Sequence, residues 1–195
     1  TMIEERIKEI KSKLPDNVTL VAVSKLKSVE DIMEAYRAGQ RVFGENYATE
    51  LRDKHAQLPA DIEWHFIGHL QSKQLKYYIG YVSMIHGVDS IEHLQDIEKA
   101  AAKVDRVVDV LLQVHVAKEE TKFGFAPEEL DEPGKLTQLE LPHVRVRGLM
   151  GMASHTDDTE RVRSDFKEVK SFFDSLKRGP YRNREYFDTI SMGMS

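Results

Sequence analysis

Apolar and polar positions follow two different patterns along this chain, and the two patterns alternate. Seven short segments are apolar and rich in β-branched or aromatic residues, which is typical of buried strands. These predicted strands cover residues 18–24, 41–46, 62–68, 82–89, 107–116, 144–153 and 186–194. Most of the other segments repeat apolar residues every three or four positions, which predicts helices. The predicted helices cover residues 2–14, 28–39, 47–57, 71–78, 90–104, part of 126–138 and 157–177.

Seven successive strand-and-helix steps favour an α/β protein. Strands that are apolar on both faces fit a parallel sheet covered by helices. Seven steps predict a (β/α)8 TIM-like barrel with an extra N-terminal helix. The last helix and strand of that barrel are missing from this chain. An open doubly wound sheet is the alternative, although the first turn, SKLKS, lacks the G-x-G-x-x-G of a Rossmann sheet. No linker or repeat is visible, so we expect a single domain over residues 1–195, incomplete at its C-terminal end.

Composition narrows the classes of function. The chain has a net charge of −5, which gives no electrostatic reason to expect a nucleic-acid partner. It contains no cysteine, which excludes disulfides, thiolate nucleophiles and cysteine-bound zinc. No apolar run approaches the roughly 20 residues of a membrane span, and the N-terminus, TMIEERIKEIKSKLP, lacks the apolar core of a signal peptide. We therefore expect a cytoplasmic protein without a membrane partner.

The first strand ends in a lysine. Functional residues of a barrel lie at the C-terminal ends of its strands, and the segment LVAVSKLKS ends the first strand at Lys25. Val21, Val23 and Lys25 share one face of that strand. If this face lines the barrel, apolar walls desolvate the Lys25 amine and lower its pKa, and a neutral amine can attack an aldehyde. A solvated strand end is the alternative, and it is the interpretation we favour for Lys27.

The last segment, SMGMS, combines small residues with a strand end. Ser191, Gly193 and Ser195 leave backbone N–H groups accessible, and their small size lets an anion approach closely. The segment is therefore a candidate phosphate cradle. A tight turn after a buried strand is the alternative.

Histidines at strand ends suggest a metal site as a further alternative. His65, His86 and His115 lie on three different predicted strands, and Asp89 follows the fourth. A metal-dependent barrel hydrolase would use such a set. The chain contains neither H-x-H nor H-E-x-x-H, however. We therefore expect core or surface histidines and no metal site.

Several motifs together resemble one known family. VAVSKLKS, AGQRVFGENYATEL, IEWHFIGHLQSKQ, KFGF, VRGLMGMA and SMGMS, in this order and spacing, resemble the pyridoxal phosphate homeostasis protein family from about Leu20 onward. The resemblance implies the barrel of alanine racemase, the type III fold of pyridoxal 5'-phosphate (PLP) proteins. It also implies a Schiff base between PLP and the lysine of the AVSK motif, which is Lys25. By the same resemblance, Asn46 lies beside the cofactor ring, and Ser191, Gly193 and Ser195 help to hold the phosphate.

The chain departs from the family pattern in two places. The family usually has L-Q-S-N-K where this chain has LQSKQ, so Lys73 stands in place of an asparagine. Family members also continue past SMGMS with a helix and a final strand. That segment would complete the phosphate cradle and supply an arginine facing the pyridine nitrogen. We therefore expect the C-terminal side of the site to be incomplete in this chain.

Two functions share the implied cofactor. The resemblance favours a monomeric carrier in intracellular PLP homeostasis, which holds PLP on Lys25 and delivers it to apo PLP-enzymes without catalytic turnover. A PLP-dependent amino-acid racemase is the alternative, and a metal-dependent barrel hydrolase is a distant third. A racemase needs an acid–base group on each face of the substrate Cα. In alanine racemase one of these comes from a second domain of a partner subunit, and this chain has no residues left for such a domain.

Overall fold

The computed structural model describes residues 1–115, 124–131, 135–153 and 158–194. Within them, the predicted alternation of strands and helices is confirmed. The chain divides into two compact units, Thr1–Ser83 and Met84–Ser195. Among the described helices, none combines the length and the apolar character that a membrane span requires.

The first unit contains three parallel strands, β1 to β3, in chain order. The strand register pairs Phe43 of the middle strand with Ala22 on one side and with Trp64 on the other. Phe43 and Trp64 are buried, and the Phe66 and Tyr78 rings stack with their centroids 4.4 Å apart, so aromatic side chains fill this core. The elements are α1 (Met2–Lys13), β1 (Ala22–Val23), α2 (Val29–Arg37), β2 (Val42–Glu45), α3 (Ala48–Gln57), β3 (Glu63–Phe66) and a 3-10 helix (Ser72–Tyr77).

The described residues of the second unit contain four parallel strands, β4 to β7, again in chain order. Two of its helices begin at side-chain caps of the expected kind: Ser90 accepts from the backbone N–H of His93, and Asp158 accepts from that of Glu160. The elements are β4 (Met84–Val88), α4 (Ile91–Lys103), β5 (Val108–Gln113), α5 (Pro127–Asp131), β6 (Val144–Ala153), α6 (Thr159–Arg178) and β7 (Thr189–Met194). The predicted parallel pairing is thus confirmed within each unit.

The first strand is much shorter than predicted. The apolar run 18–24 contains only two residues of regular strand, Ala22–Val23. The side chain of Gln40 explains part of this difference, since its amide donates to the carbonyl of Leu20 at 2.8 Å and to that of Val42 at 2.6 Å. A side chain therefore bridges the two segments where backbone hydrogen bonds would otherwise continue the ladder. Of the range 126–138, in part of which a helix was predicted, only Pro127–Asp131 is helical among the described residues. Pro133, which cannot continue a regular helix, lies outside the described residues.

Candidate cofactor-binding site

Lys25 lies on a tight turn directly after β1. The turn is closed by the N–H of Lys27, which donates to the carbonyl of Ser24 at 3.0 Å. Within the described part of the chain, the Lys25 side chain makes no hydrogen bond or ion pair, and it is exposed. Val23, which precedes it on the same face, is 54% exposed. The expected apolar walls around the Lys25 amine are therefore wrong, because the chain leaves the strand at Ser24 and carries the lysine on the turn.

A buried network of charged side chains lies beneath this turn. The Glu45 side chain is fully buried, and the Ser24 hydroxyl donates to its Oε2. The Lys54 ammonium is also buried and lies 2.7 Å from the Ser24 carbonyl oxygen, 2.9 Å from Glu45 Oε2 and 3.1 Å from Glu50 Oε2. An ammonium carries three protons, so these three oxygens use all of them. Lys54 is thus held as a cation between two carboxylates and a peptide carbonyl.

The same network reaches the other side of Lys25. The N–H of Leu26 donates to Glu50 Oε2 at 2.9 Å. Leu26 has a φ of 61°, a left-handed conformation that a leucine rarely adopts. The sequence interpretation missed Glu45, Glu50 and Lys54. A signal existed, because Lys54 follows Leu51 by three positions and therefore lies on the buried face of α3, where an unpaired lysine would not be stable.

Burial shifts the titration of Glu45. Burial raises the pKa of the Glu45 carboxyl, while the hydrogen bonds from Ser24 and Lys54 act in the opposite direction. The raised pKa follows from the cost of holding a carboxylate in a site without water. The Ser24 hydroxyl and the Lys54 ammonium are therefore the two groups that make this buried carboxylate compatible with the folded protein.

Asn46 follows β2 next to the Lys25 turn. The register that pairs Val23 with Gly44 places Lys25 and Asn46 two residues beyond the paired positions on neighbouring strands. Asn46 Oδ1 is buried and has no hydrogen-bond partner among the described residues. Buried amide oxygens are normally paired, so this atom fits a ligand that donates a hydrogen bond.

The backbone of Gly68 packs closely against the backbone of Asn46. A Cβ on residue 68 would lie 2.1 Å from the Asn46 carbonyl oxygen, which leaves no room for any side chain there. The IGH segment after β3 thus packs its backbone directly on Asn46. The nearby Lys73, which differs from the family pattern, is exposed on the 3-10 helix.

The candidate phosphate residues belong to the second unit. Ser191 and Gly193 lie within β7, in register with Met150 and Met152 of β6. The Ser191 hydroxyl lies 3.1 Å from Nδ1 of His86, which is 4% exposed. Since β5 and β6 separate β4 from β7, this contact requires the sheet of the second unit to curl, with both side chains on its concave face. Ser195 lies outside the described residues.

Methionines surround the candidate phosphate residues on that face. Met84, Leu111 and Met150 form a buried cluster, and Met152 packs against it. A Cβ on residue 193 would lie 3.0 Å from the sulfur of Met152, so a larger residue there would press on this side chain. Ser191 and Gly193 therefore lie next to an apolar surface formed mainly by methionine side chains.

The histidines and the aspartate considered as an alternative metal site are not brought together in the described structure. Within residues 1–115, 124–131, 135–153 and 158–194, no group of three or more histidine, aspartate or glutamate side chains is placed to hold a metal ion. Asp89 instead lies 2.6 Å from Nδ1 of His93, one helical turn further along the chain. His86 contacts Ser191, as described above. His65 and His115 also have partners of their own.

The comparisons with known proteins first define a class. The family model described as the N-terminal domain of alanine racemase matches residues 1–195. Alanine racemase from E. faecalis superposes with a TM-score of 0.66 at 19% identity, over 87% of this chain and 48% of that one. A likeness at that identity concerns the fold alone. The predicted fold class, the α/β fold of the alanine racemase N-terminal domain, is confirmed.

Closer relatives define the family. The pyridoxal phosphate homeostasis protein of Aquifex aeolicus is 41% identical over 180 residues, which cover 90% of this chain and 76% of that protein. PipY of Synechococcus elongatus PCC7942, solved with PLP bound, superposes with a TM-score of 0.83 at 30% identity, over 98% of this chain and 97% of that chain. The chain therefore belongs to the pyridoxal phosphate homeostasis protein family.

Proposed function

We propose that this protein is a monomeric, cytoplasmic carrier of PLP, which holds the cofactor on Lys25 and hands it to apo enzymes without catalytic turnover. The observation that carries the proposal is an exposed lysine amine with no partner in the described structure. This lysine lies on a turn whose backbone donates a hydrogen bond to Glu50 and accepts one from Lys54. The relative from Aquifex aeolicus is named a pyridoxal phosphate homeostasis protein, and PipY was solved with PLP bound. Both names support PLP as the ligand.

Lys25 and Asn46 are the residues of the first unit that fit the cofactor. The aldehyde of PLP condenses with a primary amine and releases one water, so the cofactor supplies a reversible covalent link to a lysine. Asn46 Oδ1, buried and without a partner among the described residues, can accept a hydrogen bond from the bound ligand.

In the second unit, we propose that Ser191, Gly193 and Ser195 bind the phosphate group. The small side chains at residues 191 and 193 support this part of the proposal, as does the Ser191 hydroxyl beside His86. We further propose that residues 1–195 form a single PLP-binding domain, which the family model that matches all of these residues supports.

A carrier is favoured over a racemase because this chain is more similar in sequence to a PLP homeostasis protein than to an alanine racemase. The homeostasis protein from Aquifex aeolicus is 41% identical to this chain over 180 aligned residues, whereas the racemase from E. faecalis is 19% identical over the superposed part. In a carrier, Lys25 needs only to exchange its bond to the cofactor with another amine. In a racemase, a second acid–base group must also face the substrate Cα.

Reductive trapping tests the site. The protein is loaded with PLP, reduced with borohydride and digested, and the labelled peptide is identified by mass spectrometry. We expect the label on Lys25 and its loss in Lys25→Ala. The matched control is Lys27→Ala, which removes an exposed lysine two residues away. A label that persists in Lys25→Ala, or that disappears in Lys27→Ala alone, would contradict the assignment.

Transfer and turnover test the class of function. Loaded protein is mixed with an apo-aminotransferase, whose recovered activity measures delivery of PLP. In parallel, NMR follows solvent deuterium at the Cα of alanine and serine. We expect reactivation without multiple-turnover exchange, and a single species of monomer mass in light scattering. Sustained exchange or racemisation that depends on Lys25 would establish the racemase instead.

A further inference from the structure

We infer that Glu50 and Lys54 are positioning residues for Lys25, because they hold the peptide groups on both of its sides. The inference rests on the proposed function, in which Lys25 is the amine that binds PLP. It concerns residues that the family motif AVSK does not include. Both side chains come from α3, which follows the next strand along the chain.

The contacts are distributed around Lys25 symmetrically. On the N-terminal side, the Lys54 ammonium donates to the carbonyl oxygen of Ser24 at 2.7 Å. On the C-terminal side, Glu50 Oε2 accepts from the N–H of Leu26 at 2.9 Å. The two side chains also form an ion pair of 3.1 Å with each other. The peptide groups before and after Lys25 are therefore tied to one charged pair, while the lysine side chain itself stays free to react.

The backbone conformation shows why such a tie is needed. Leu26 adopts a left-handed φ of 61° and its side chain is exposed, so packing of that side chain does not explain the conformation. A disfavoured conformation persists only where surrounding contacts impose it. The hydrogen bond from the Leu26 N–H to Glu50 is such a contact. The turn's own hydrogen bond, from the Lys27 N–H to the Ser24 carbonyl at 3.0 Å, is a second one. Without the bond to Glu50, we expect the turn to open more often and the backbone position from which the Lys25 side chain extends to vary.

Burial makes the tie rigid. Lys54 and Glu45 are almost completely buried, and the Glu50 side chain is mostly buried. Water competes poorly for these hydrogen bonds, since it has little access to them. Fixing the backbone position from which a reacting side chain extends removes part of the entropic cost of reaction, so we expect a held turn to accelerate attachment at Lys25.

Two substitutions of Glu50 separate position from charge. Glu50→Ala removes the acceptor of the Leu26 N–H and the partner of Lys54. Glu50→Gln also removes the charge, but its amide oxygen can still accept from Leu26. Asp53→Ala is the matched control, because it removes an exposed carboxylate from the same helix whose partner is Arg52 and not the Lys25 turn.

The first readout is hydrogen exchange at the Leu26 amide, and the second is the rate of PLP attachment at Lys25, followed by borohydride trapping and peptide mapping. In Glu50→Ala we expect exchange at Leu26 to be about tenfold faster and attachment about tenfold slower, as loss of a charge-assisted hydrogen bond implies. In Glu50→Gln we expect both rates within about threefold of wild type. Both variants should melt at a lower temperature, since both lose the ion pair with Lys54.

The outcomes distinguish this inference from the proposed function. If Glu50→Ala attaches PLP at Lys25 at the wild-type rate, the inference is overturned. It is also overturned if Glu50→Gln and Glu50→Ala lose the same fraction of that rate. A purely structural role would make attachment follow the melting temperature in both variants. If wild-type protein acquires no label on Lys25, the proposed function fails, and the Leu26 exchange rates alone then decide whether Glu50 holds the turn.

Discussion

The buried ammonium of Lys54 allows the most direct test of the network below the Lys25 turn. Lys54→Met replaces it with an apolar side chain of similar length and good helix propensity. Among the described residues, the Glu45 carboxylate, which is 0% exposed, then keeps only the Ser24 hydroxyl as a partner. Removal of one partner from a buried ion pair costs about 3–5 kcal/mol. Because small proteins are stable by roughly 5–15 kcal/mol, we expect this variant to lose a large part of its free energy of unfolding.

The loss should depend on pH. Burial raises the pKa of Glu45, and Lys54 opposes that shift, so the pKa rises further in Lys54→Met. A carboxyl whose folded-state pKa lies above its unfolded value contributes stability that is present at low pH and lost as pH rises through the folded-state pKa. The difference in unfolding free energy between wild type and variant should therefore be smaller at pH 5 than at pH 8. Glu45→Gln in the same variant should recover part of the loss at pH 8.

Urea unfolding measures both effects. Trp64 is the single tryptophan of the chain and is 1% exposed in the same unit, so its fluorescence reports on this core. Lys8→Met is the control, because Lys8 is an exposed lysine on α1, and a surface change of this kind stays within about 0.5 kcal/mol. A loss below about 1 kcal/mol in Lys54→Met, or an equal or larger loss at pH 5 than at pH 8, would refute the reasoning.

Four further substitutions, at three residues, test other features of the first unit by urea unfolding. Gly68→Ala should cost at least about 2 kcal/mol, because its Cβ would overlap the Asn46 carbonyl; unchanged stability would contradict that contact. Tyr78→Phe should be neutral or stabilising by about 1 kcal/mol, since the buried hydroxyl has no partner among the described residues; a clear loss would reveal one. Leu26→Gly should stay within about 0.5 kcal/mol of wild type, whereas Leu26→Val should lose about 1–2 kcal/mol. Equal effects at Leu26 would argue against the left-handed turn.

The elements of this protein were predictable because their apolar positions repeat with the period of a helix or a strand. The strand at 144–153, for example, was predicted with the bounds that the structure shows. The strand at 18–24 was not, because a side chain distant in sequence, Gln40, occupies the carbonyl of Leu20. Periodicity describes which face of a segment is apolar, but it contains no information about such a contact.

The candidate site was predictable in part for a similar reason. The motifs AVSK and GEN indicated Lys25 and Asn46, and the structure places both after neighbouring strands. The surroundings of Lys25 were not predicted correctly, since strand alternation assumes that the strand continues to residue 25. The supporting pair, Glu50 and Lys54, was missed because four-residue spacing on a helix usually indicates a solvated ion pair. Only burial shows that this pair has a different role.

The methionines below β7 make that region sensitive to oxidation, although the chain has no cysteine. The Met152 sulfur packs closely on Gly193, since a Cβ added at residue 193 would lie only 3.0 Å from it. Oxidation to the sulfoxide would add a polar oxygen to a side chain that packs on a buried apolar cluster. Oxidation of Met152, which is only partly buried, would therefore disturb the strand of Ser191 and Gly193, whereas the lysine turn, residues 24–27, contains no methionine. Methionine sulfoxide reductase would reverse this oxidation. If Ser191 and Gly193 bind the phosphate group as we propose, oxidative ageing would then weaken cofactor binding while the Lys25 side chain remained chemically intact.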